Sequence, residues 1–295
     1  MGDNIHTTLN VAVLGPLGTY THEAAQSIFG SRVRYQYQRT ITDVFDSFSG
    51  DIHVAVVPRE NSLHGIVTET YDNLRSCNHG FITGEVVLKV QHCLVVRTGV
   101  ALHDIKRVLS HEQALGQCQA FLKTYLPDAE LVKTPSTASA ARALLDEPSN
   151  CAAICSKSCA SLFDGLEVLR EGIQIEEANF TRFLILTKSR EQSIRSQFGI
   201  DPCYKALLRI YANDEKAHNL TRIFDLLDTE MCLTQIDRRP KLNGAPFHDV
   251  YFAEVKKIDG TVDSQDEEYE WSAAVDKLVL SVGQAGYDAV ALGIW

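Results

Sequence analysis

The chain has 295 residues, 45% of them apolar and 22% charged, enough for one large core or two smaller ones and too apolar for a disordered tail. Its 28 basic against 38 acidic residues give a net charge of −10 with no basic block, so neither nucleic acid nor an anionic membrane surface is an expected partner. No run approaches the roughly 20 apolar residues of a membrane span, and Met1 to Asn10 lacks the basic and apolar parts of a secretion signal, so a cytoplasmic protein is expected.

Val11 to Leu14 reads as a strand ending in a loop with Gly15, Pro16 and Gly18, and Thr19 to Thr21 lead into an Ala-rich helix. Backbone amides at such a helix start bind carboxylate or phosphate, which makes Thr19 and Thr21 candidate contacts to an anion. Ile41, Val44, Phe45 and Phe48 mark a second helix. Pro58 is expected to stop the strand at 53–57, leaving Glu60, Asn61 and Ser62 in a turn before a helix with Val67, Tyr71 and Leu74 on one face. Strands at 92–96 and 107–109 follow. The second of them meets Ser110 and a helix with Ala114, Leu115, Cys118, Phe121, Leu122 and Tyr125 at helical spacing and Gln117 on its polar face. Ser110 carries two readings, a ligand contact or one half of a capping box with Gln113.

Ala138, Ala141, Leu144 and Leu145 mark another helix, and Cys151 to Cys155 reads as a strand with a helix starting near Ser156. Eight cysteines in a chain of this size, without secretory context, are not read as disulfides, and Cys151, Cys155 and Cys159 are read as small buried hydrophobes and not as metal ligands. Asn179 to Phe183 opens an apolar strand at 183–187; alternation points Asn179, Thr181 and Phe183 to one side and Phe180 and Arg182 to the other. Arg182 then either pairs with a structural carboxylate or reaches a substrate. Strands alternating with amphipathic helices define an α/β fold with mostly parallel pairing. The polar stretch 191–203 separates residues 8–190 from 204–295, where the pattern reads strand, helix (about 215–228), strand, strand, helix, strand.

Four segments together resemble the prephenate dehydratase family: Gly15-Pro16-Leu17-Gly18-Thr19, Val57-Pro58-Arg59-Glu60-Asn61-Ser62, Ser110-His111-Glu112-Gln113-Ala114-Leu115 and Asn179-Phe180-Thr181-Arg182-Phe183, met in the family's order over about residues 10 to 190. The resemblance implies two α/β lobes joined by a hinge, similar to type II periplasmic binding proteins, with the active site in the cleft. It also implies that residues 204–295 form a βαββαβ ACT-like regulatory domain behind the 191–203 linker. The implied reaction is the decarboxylating dehydration of prephenate, a small dianion, to phenylpyruvate, without metal or organic cofactor. The family assigns the essential hydroxyl to Thr181, and Glu60 is a candidate proton donor whose bland alternative is a helix-start charge facing solvent. Asn61, Ser62, Ser110 and Gln117 are candidate donors to substrate, joined by Arg182 and Phe183. His22, His64 and His111 lie near helix starts and are set aside as acids. The ACT-like part departs from the family. His218-Asn219-Leu220 and Asp237-Arg238-Arg239-Pro240 stand where phenylalanine-sensing relatives carry Gly-Ala-Leu and Glu-Ser-Arg-Pro, so pairing of chains into a homodimer or homotetramer is expected with weak or altered phenylalanine control. Arogenate dehydratase and a non-catalytic aromatic amino-acid sensor are the rival readings.

Overall fold

The computed structural model describes residues 9–76, 80–190, 193–212, 224–225, 231–242, 246–258 and 265–295. Two compact units interleave along the chain instead of following one another: Met1–Ser47, Ala55–Val67 and Val86–Phe183 make the first, and Phe48–Val54, Thr68–Glu85 and Leu184–Trp295 the second.

The first unit is a mixed α/β body with two sheets. One contains β1 (Asn10–Leu14), β2 (Arg34–Gln38), β3 (Val54–Asn61) and β11 (Phe180–Thr187) in the order β2-β1-β3-β11, with the two-residue β4 (Gly65–Ile66) folded back on the end of β3. The other contains β6 (Cys93–Arg97), β7 (Arg107–Ser110), β8 (Glu130–Lys133), β9 (Cys151–Cys155) and β10 (Leu166–Glu171) in the order β10-β6-β9-β7-β8. The chain enters the second lobe from β5 (Phe81–Lys89) through residues 90–92 and returns from β10 to β11 through residues 172–179. Those crossings are bonded together, Val90 N–H donating to the Asn179 carbonyl at 2.8 Å and Ile173 N–H to the His92 carbonyl at 3.1 Å.

Pattern explains the second lobe directly. In β9, Cys151, Ala153 and Cys155 pack with Ala138, Ala141 and Leu144 of the helix α6 (Thr137–Ala143) region, while Ala152 and Ile154 pack with Leu115, Cys118 and Leu122 on the opposite face. A strand covered on both faces needs apolar residues at every position, which is why it reads as a continuous run. Cys151, Cys155 and Cys159 are buried free thiols, with α7 (Lys157–Ala160) capped by Ser156, in agreement with the sequence reading.

Other expectations are corrected. β3 runs through Pro58 to Asn61, so Glu60 and Asn61 are strand residues and only Ser62 enters the turn. The helix that follows, α3 (Thr68–Ser76), begins after Val67. Pairing is mixed: β1–β2, β7–β8 and β7–β9 are parallel, whereas β6 pairs antiparallel with both β9 and β10. Strands β2, β8 and β10 escaped the sequence reading because they are partly exposed, with no residue of the three buried.

The second unit is built on β12 (Lys205–Ala212), β13 (Met231–Pro240), β14 (Asp249–Lys257) and β15 (Tyr287–Ile294), ordered β15-β12-β14-β13, with β15 also pairing β5 in parallel at Gly293 and Ile82. A Cβ on Gly293 would stand 2.2 Å from the Ile82 Cβ, so only glycine permits that approach. The helix α9 (Gln265–Gln284) lays Trp271, Val275, Leu278 and Val282 on the sheet, the helical stripe its spacing demands. Of the helix expected at about 215–228, Phe224 and Asp225 are helical and the remainder lies outside the described residues, as do His218, Asn219 and Leu220. Within the stretch expected to be a linker, the described residues 193–203 include α8 (Ser193–Phe198), and Arg195 and Ile200 are buried.

Candidate active site

A cavity of about 480 Å³ opens in the first unit where the two crossings meet the helix starts. Its wall includes Thr19, Tyr20 and Thr21 at the start of α1 (Tyr20–Phe29), His111, Gln113 and Ala114 at the start of α4 (Glu112–Gln117), and Ser136 and Thr137 at the start of α6. Helix starts carry N–H groups without intrahelical partners and a partial positive charge. No lysine or arginine stands among the described lining residues, so positive potential comes from these ends and from side-chain donors. Gly18, at φ +88, makes the turn into α1, and a Cβ there would sit 2.7 Å from the Cys159 sulfur.

Alternation from Asn179, just before β11, into the strand delivers Asn179, Thr181 and Phe183 to this wall. Asn61 binds all three polar positions of that edge through Nδ2, at 2.7 Å to Asn179 Oδ1, 3.1 Å to the Phe180 carbonyl and 3.0 Å to Thr181 Oγ1. Its Oδ1 accepts from the backbone N–H groups of Leu63 and His64, at 3.0 and 3.2 Å. Gln117 meets the same cluster from α4, with Oε1 at 2.6 Å from His92 Nε2 and 3.4 Å from Asn179 Nδ2, and Nε2 at 2.9 Å from His64 Nε2. Behind His92 the Tyr20 hydroxyl lies 3.0 Å from Nδ1.

Burial shifts two members of this cluster, Tyr20 and His92. It pushes the Tyr20 phenol well above its ordinary value, and it pushes the His92 imidazole down, against an upward pull from the Gln117 hydrogen bond. His22 is likewise lowered by burial, and it packs edge-on to Tyr35 and Tyr37, as expected for a packing histidine. Burial lifts the Cys118 thiol to about 12, which makes it inert as a nucleophile at neutral pH. Among the described residues no three His, Cys, Asp or Glu side chains gather as metal ligands, and no helix is long and apolar enough to cross a membrane.

Several expected contacts lie elsewhere. Ser110 is fully buried and its hydroxyl donates to the Ile154 carbonyl at 2.7 Å, off the cavity wall. The cap of α4 is His111, whose Nδ1 accepts from Gln113 N–H at 3.3 Å, so the Ser110–Gln113 capping box is not formed. Ser62 stitches its turn to β11, donating to the Ala178 carbonyl at 3.1 Å and accepting from Phe180 N–H at 2.9 Å. Glu60 and Arg182 pair with each other at 3.1 Å and neither lines the cavity. Thr19 does line the cavity, but its hydroxyl is used in capping α1, accepting from His22 N–H and donating to the Leu14 carbonyl. At the end of β13, Asp237 accepts from the Tyr71 hydroxyl at 2.9 Å, Arg238 pairs with Asp249 at 2.8 Å, Arg239 holds Asp72 through two bonds of 2.8 and 3.0 Å, and the Pro240 carbonyl accepts from Arg75 at 2.7 Å.

His92 and Tyr20 are absent from the sequence reading, and His64 was set aside there. The available signals were faint: a histidine against the start of the run Cys93 to Val96, and a tyrosine between the two threonines of the first loop.

Fold and cavity together define a mixed α/β protein whose cavity is lined by apolar and neutral polar side chains, without lysine or arginine among the described lining residues. The family described as prephenate dehydratase matches residues 11–191, and the chain belongs to it. It is 40% identical over 179 residues to a bifunctional chorismate mutase/prephenate dehydratase of Pseudomonas aeruginosa, covering 60% of this chain and 48% of that one. It is 29% identical to the prephenate dehydratase of Bacillus subtilis over 242 residues, 80% of this chain and 85% of that one. The crystal structure of a prephenate dehydratase from Arthrobacter aurescens in complex with L-Phe shares the fold, with a TM-score of 0.77 and 24% identity over 96% of this chain and 89% of that one. The chain spans 48% of the length of that Pseudomonas relative and 62 to 63% of the bifunctional relatives of Aquifex aeolicus and Escherichia coli.

Proposed function

We propose that the chain catalyses the decarboxylating dehydration of prephenate to phenylpyruvate. The observation that carries this reading is the bond from Asn61 Nδ2 to Thr181 Oγ1. Because the amide donates, the Thr181 oxygen accepts, and no other hydrogen bond of that hydroxyl is found among the described residues. Its proton is therefore available to a group in the cavity that Thr181 lines.

In the reaction the ring carboxylate leaves as carbon dioxide, its bonding pair enters the ring, and the C4 oxygen departs with the C–O pair as hydroxide, which a proton converts to water. Aromatisation of the ring drives both cleavages. Thr181 is assigned as the donor to the departing oxygen, since a hydroxyl at neutral pH is an oriented hydrogen bond more than an acid. Gln117, through its Nε2, and the amides beside Thr19 and Thr21 at the start of α1 are assigned to substrate oxygen atoms. Phe183 supplies an apolar wall for the ring. Glu60 and Arg182 are assigned to each other as a structural pair, Ser110 and Ser62 to the scaffold, and the proton that completes water to solvent.

Residues 204–295 are proposed to act as an ACT-like regulatory domain joining two or more copies of the chain in the cytoplasm. The order β15-β12-β14-β13 is the one a βαββαβ unit adopts, which supports that reading. The Arthrobacter relative, solved in complex with L-Phe, supports phenylalanine as the effector. Here an effector reaching the end of β13 competes with Tyr71 for Asp237 and with Asp72 for Arg239.

Incubation of the purified chain with prephenate and, separately, arogenate, followed by detection of phenylpyruvate or phenylalanine, tests the assignment. Phenylpyruvate from prephenate, unaffected by a chelator, is the expected product. Absence of product from both acids overturns it in favour of a sensor.

A further inference from the structure

Asn61 fixes the direction of every hydrogen bond in the cavity network, because its Oδ1 faces two backbone N–H groups, which only donate. Its Nδ2 must then face Asn179 Oδ1, which turns the Asn179 Nδ2 toward Gln117. A donor there requires the Gln117 oxygen on that side, and the same oxygen faces His92 Nε2 at 2.6 Å. His92 therefore carries its proton on Nε2. Its Nδ1 is left as an acceptor, and the Tyr20 hydroxyl 3.0 Å away is its donor, sharing one proton between Nδ1 and the Gln91 carbonyl at 3.1 Å. The other end of Gln117 follows: Nε2 donates to His64 Nε2 at the cavity wall, so His64 carries its proton on Nδ1.

We propose that His92, held in one tautomer by Tyr20, is a positioning residue for the dehydration: it locks the Gln117 amide so that its NH₂ group, and not its oxygen, is presented to a carboxylate-bearing substrate. The inference rests on reading the cavity as the dehydratase site. Its physical basis is the cost of the wrong orientation, since a carbonyl oxygen turned toward a substrate carboxylate repels it and leaves a buried donor facing Asn179. The backbone supports the same role. His92 N–H donates to Gln174 Oε1 at 2.9 Å and its carbonyl accepts from Ile173, so the residue is fixed within the crossing between lobes. His92 is 3% exposed, and burial disfavours its charged form, as a single defined tautomer needs.

Two measurements test the proposal. Nitrogen-15 spectra of the ligand-free wild-type chain, labelled in histidine, are expected to show His92 as the Nε2–H tautomer, and a dominant Nδ1–H tautomer would overturn the proposal whether or not the chain turns over prephenate. Tyr20→Phe keeps the ring and removes the donor. It is expected to remain folded with a modestly lowered melting temperature, to mix the His92 tautomers, and to raise KM or lower kcat so that kcat/KM falls about 5- to 30-fold, the size of one misplaced buried hydrogen bond. His92→Gln, which keeps a side-chain N–H for the Gln117 oxygen, is expected to recover more of kcat/KM than His92→Leu. Folded Tyr20→Phe and His92→Leu variants with unchanged kcat/KM and pH profile would contradict the role, while a wild-type chain inactive on prephenate would instead contradict the assigned reaction.

Discussion

The cavity wall and the end of β13 are both rich in polar side chains, yet they use them differently. Around the cavity, Asn61, Asn179 and Gln117 relay hydrogen bonds that leave the Thr181 hydroxyl proton uncommitted. At Asp237 to Pro240 the charged groups are met by partners within their own unit, Tyr71, Asp72 and Arg75 of α3 among them. The difference teaches that a motif's residue types announce polarity but not purpose. A donor becomes useful to a ligand where its own partners are acceptor-poor, and becomes structural where a nearby helix offers carboxylates.

The largest effect expected from this contrast is at Thr181. Thr181→Val keeps the shape and deletes the hydroxyl, and steady-state kinetics should show kcat reduced by about 10²–10³, equivalent to roughly 3–4 kcal/mol, with folding intact. Next comes Glu60. Since its carboxylate faces Arg182 and not the cavity, Glu60→Gln should lower kcat by less than about tenfold while lowering the melting temperature, because it removes a charge that pairs with a partly buried guanidinium. A loss comparable to that of Thr181→Val would restore Glu60 as the acid. The smallest effect is expected at Arg239, where the half-buried bidentate pair with Asp72 contributes about 1 kcal/mol. Arg239→Ala should lower stability by that order in urea titration, leave turnover without effector within about twofold, and shift the phenylalanine concentration needed for any inhibition.

Much of this was legible before folding was considered. Period-two alternation alone put Asn179, Thr181 and Phe183 on one face and Arg182 on the other, and that is where β11 places them. Gln117 was legible as a residue on the polar face of an amphipathic helix. The strand through Pro58 was not, because proline's usual effect is to end a strand, whereas here β3 continues for three more residues to pair with β4. Nor was Tyr20 with His92, a contact across 72 residues that no local pattern encodes. Ser110 misled for a related reason. Its hydroxyl is consumed by the Ile154 carbonyl on a neighbouring strand, a partner that sequence spacing does not reveal.

The central claim is that Asn61 acts through Thr181, accepting backbone donors on one side so that it must donate on the other. A double-mutant cycle on kcat with Asn61→Ala, Thr181→Val and the pair measures this directly. If the two residues work as one unit, the pair should lose little more than Thr181→Val alone, because an oriented amide has nothing left to orient. Losses that multiply, with the pair falling by the product of the single effects, would show that Asn61 serves the reaction independently and would contradict the account.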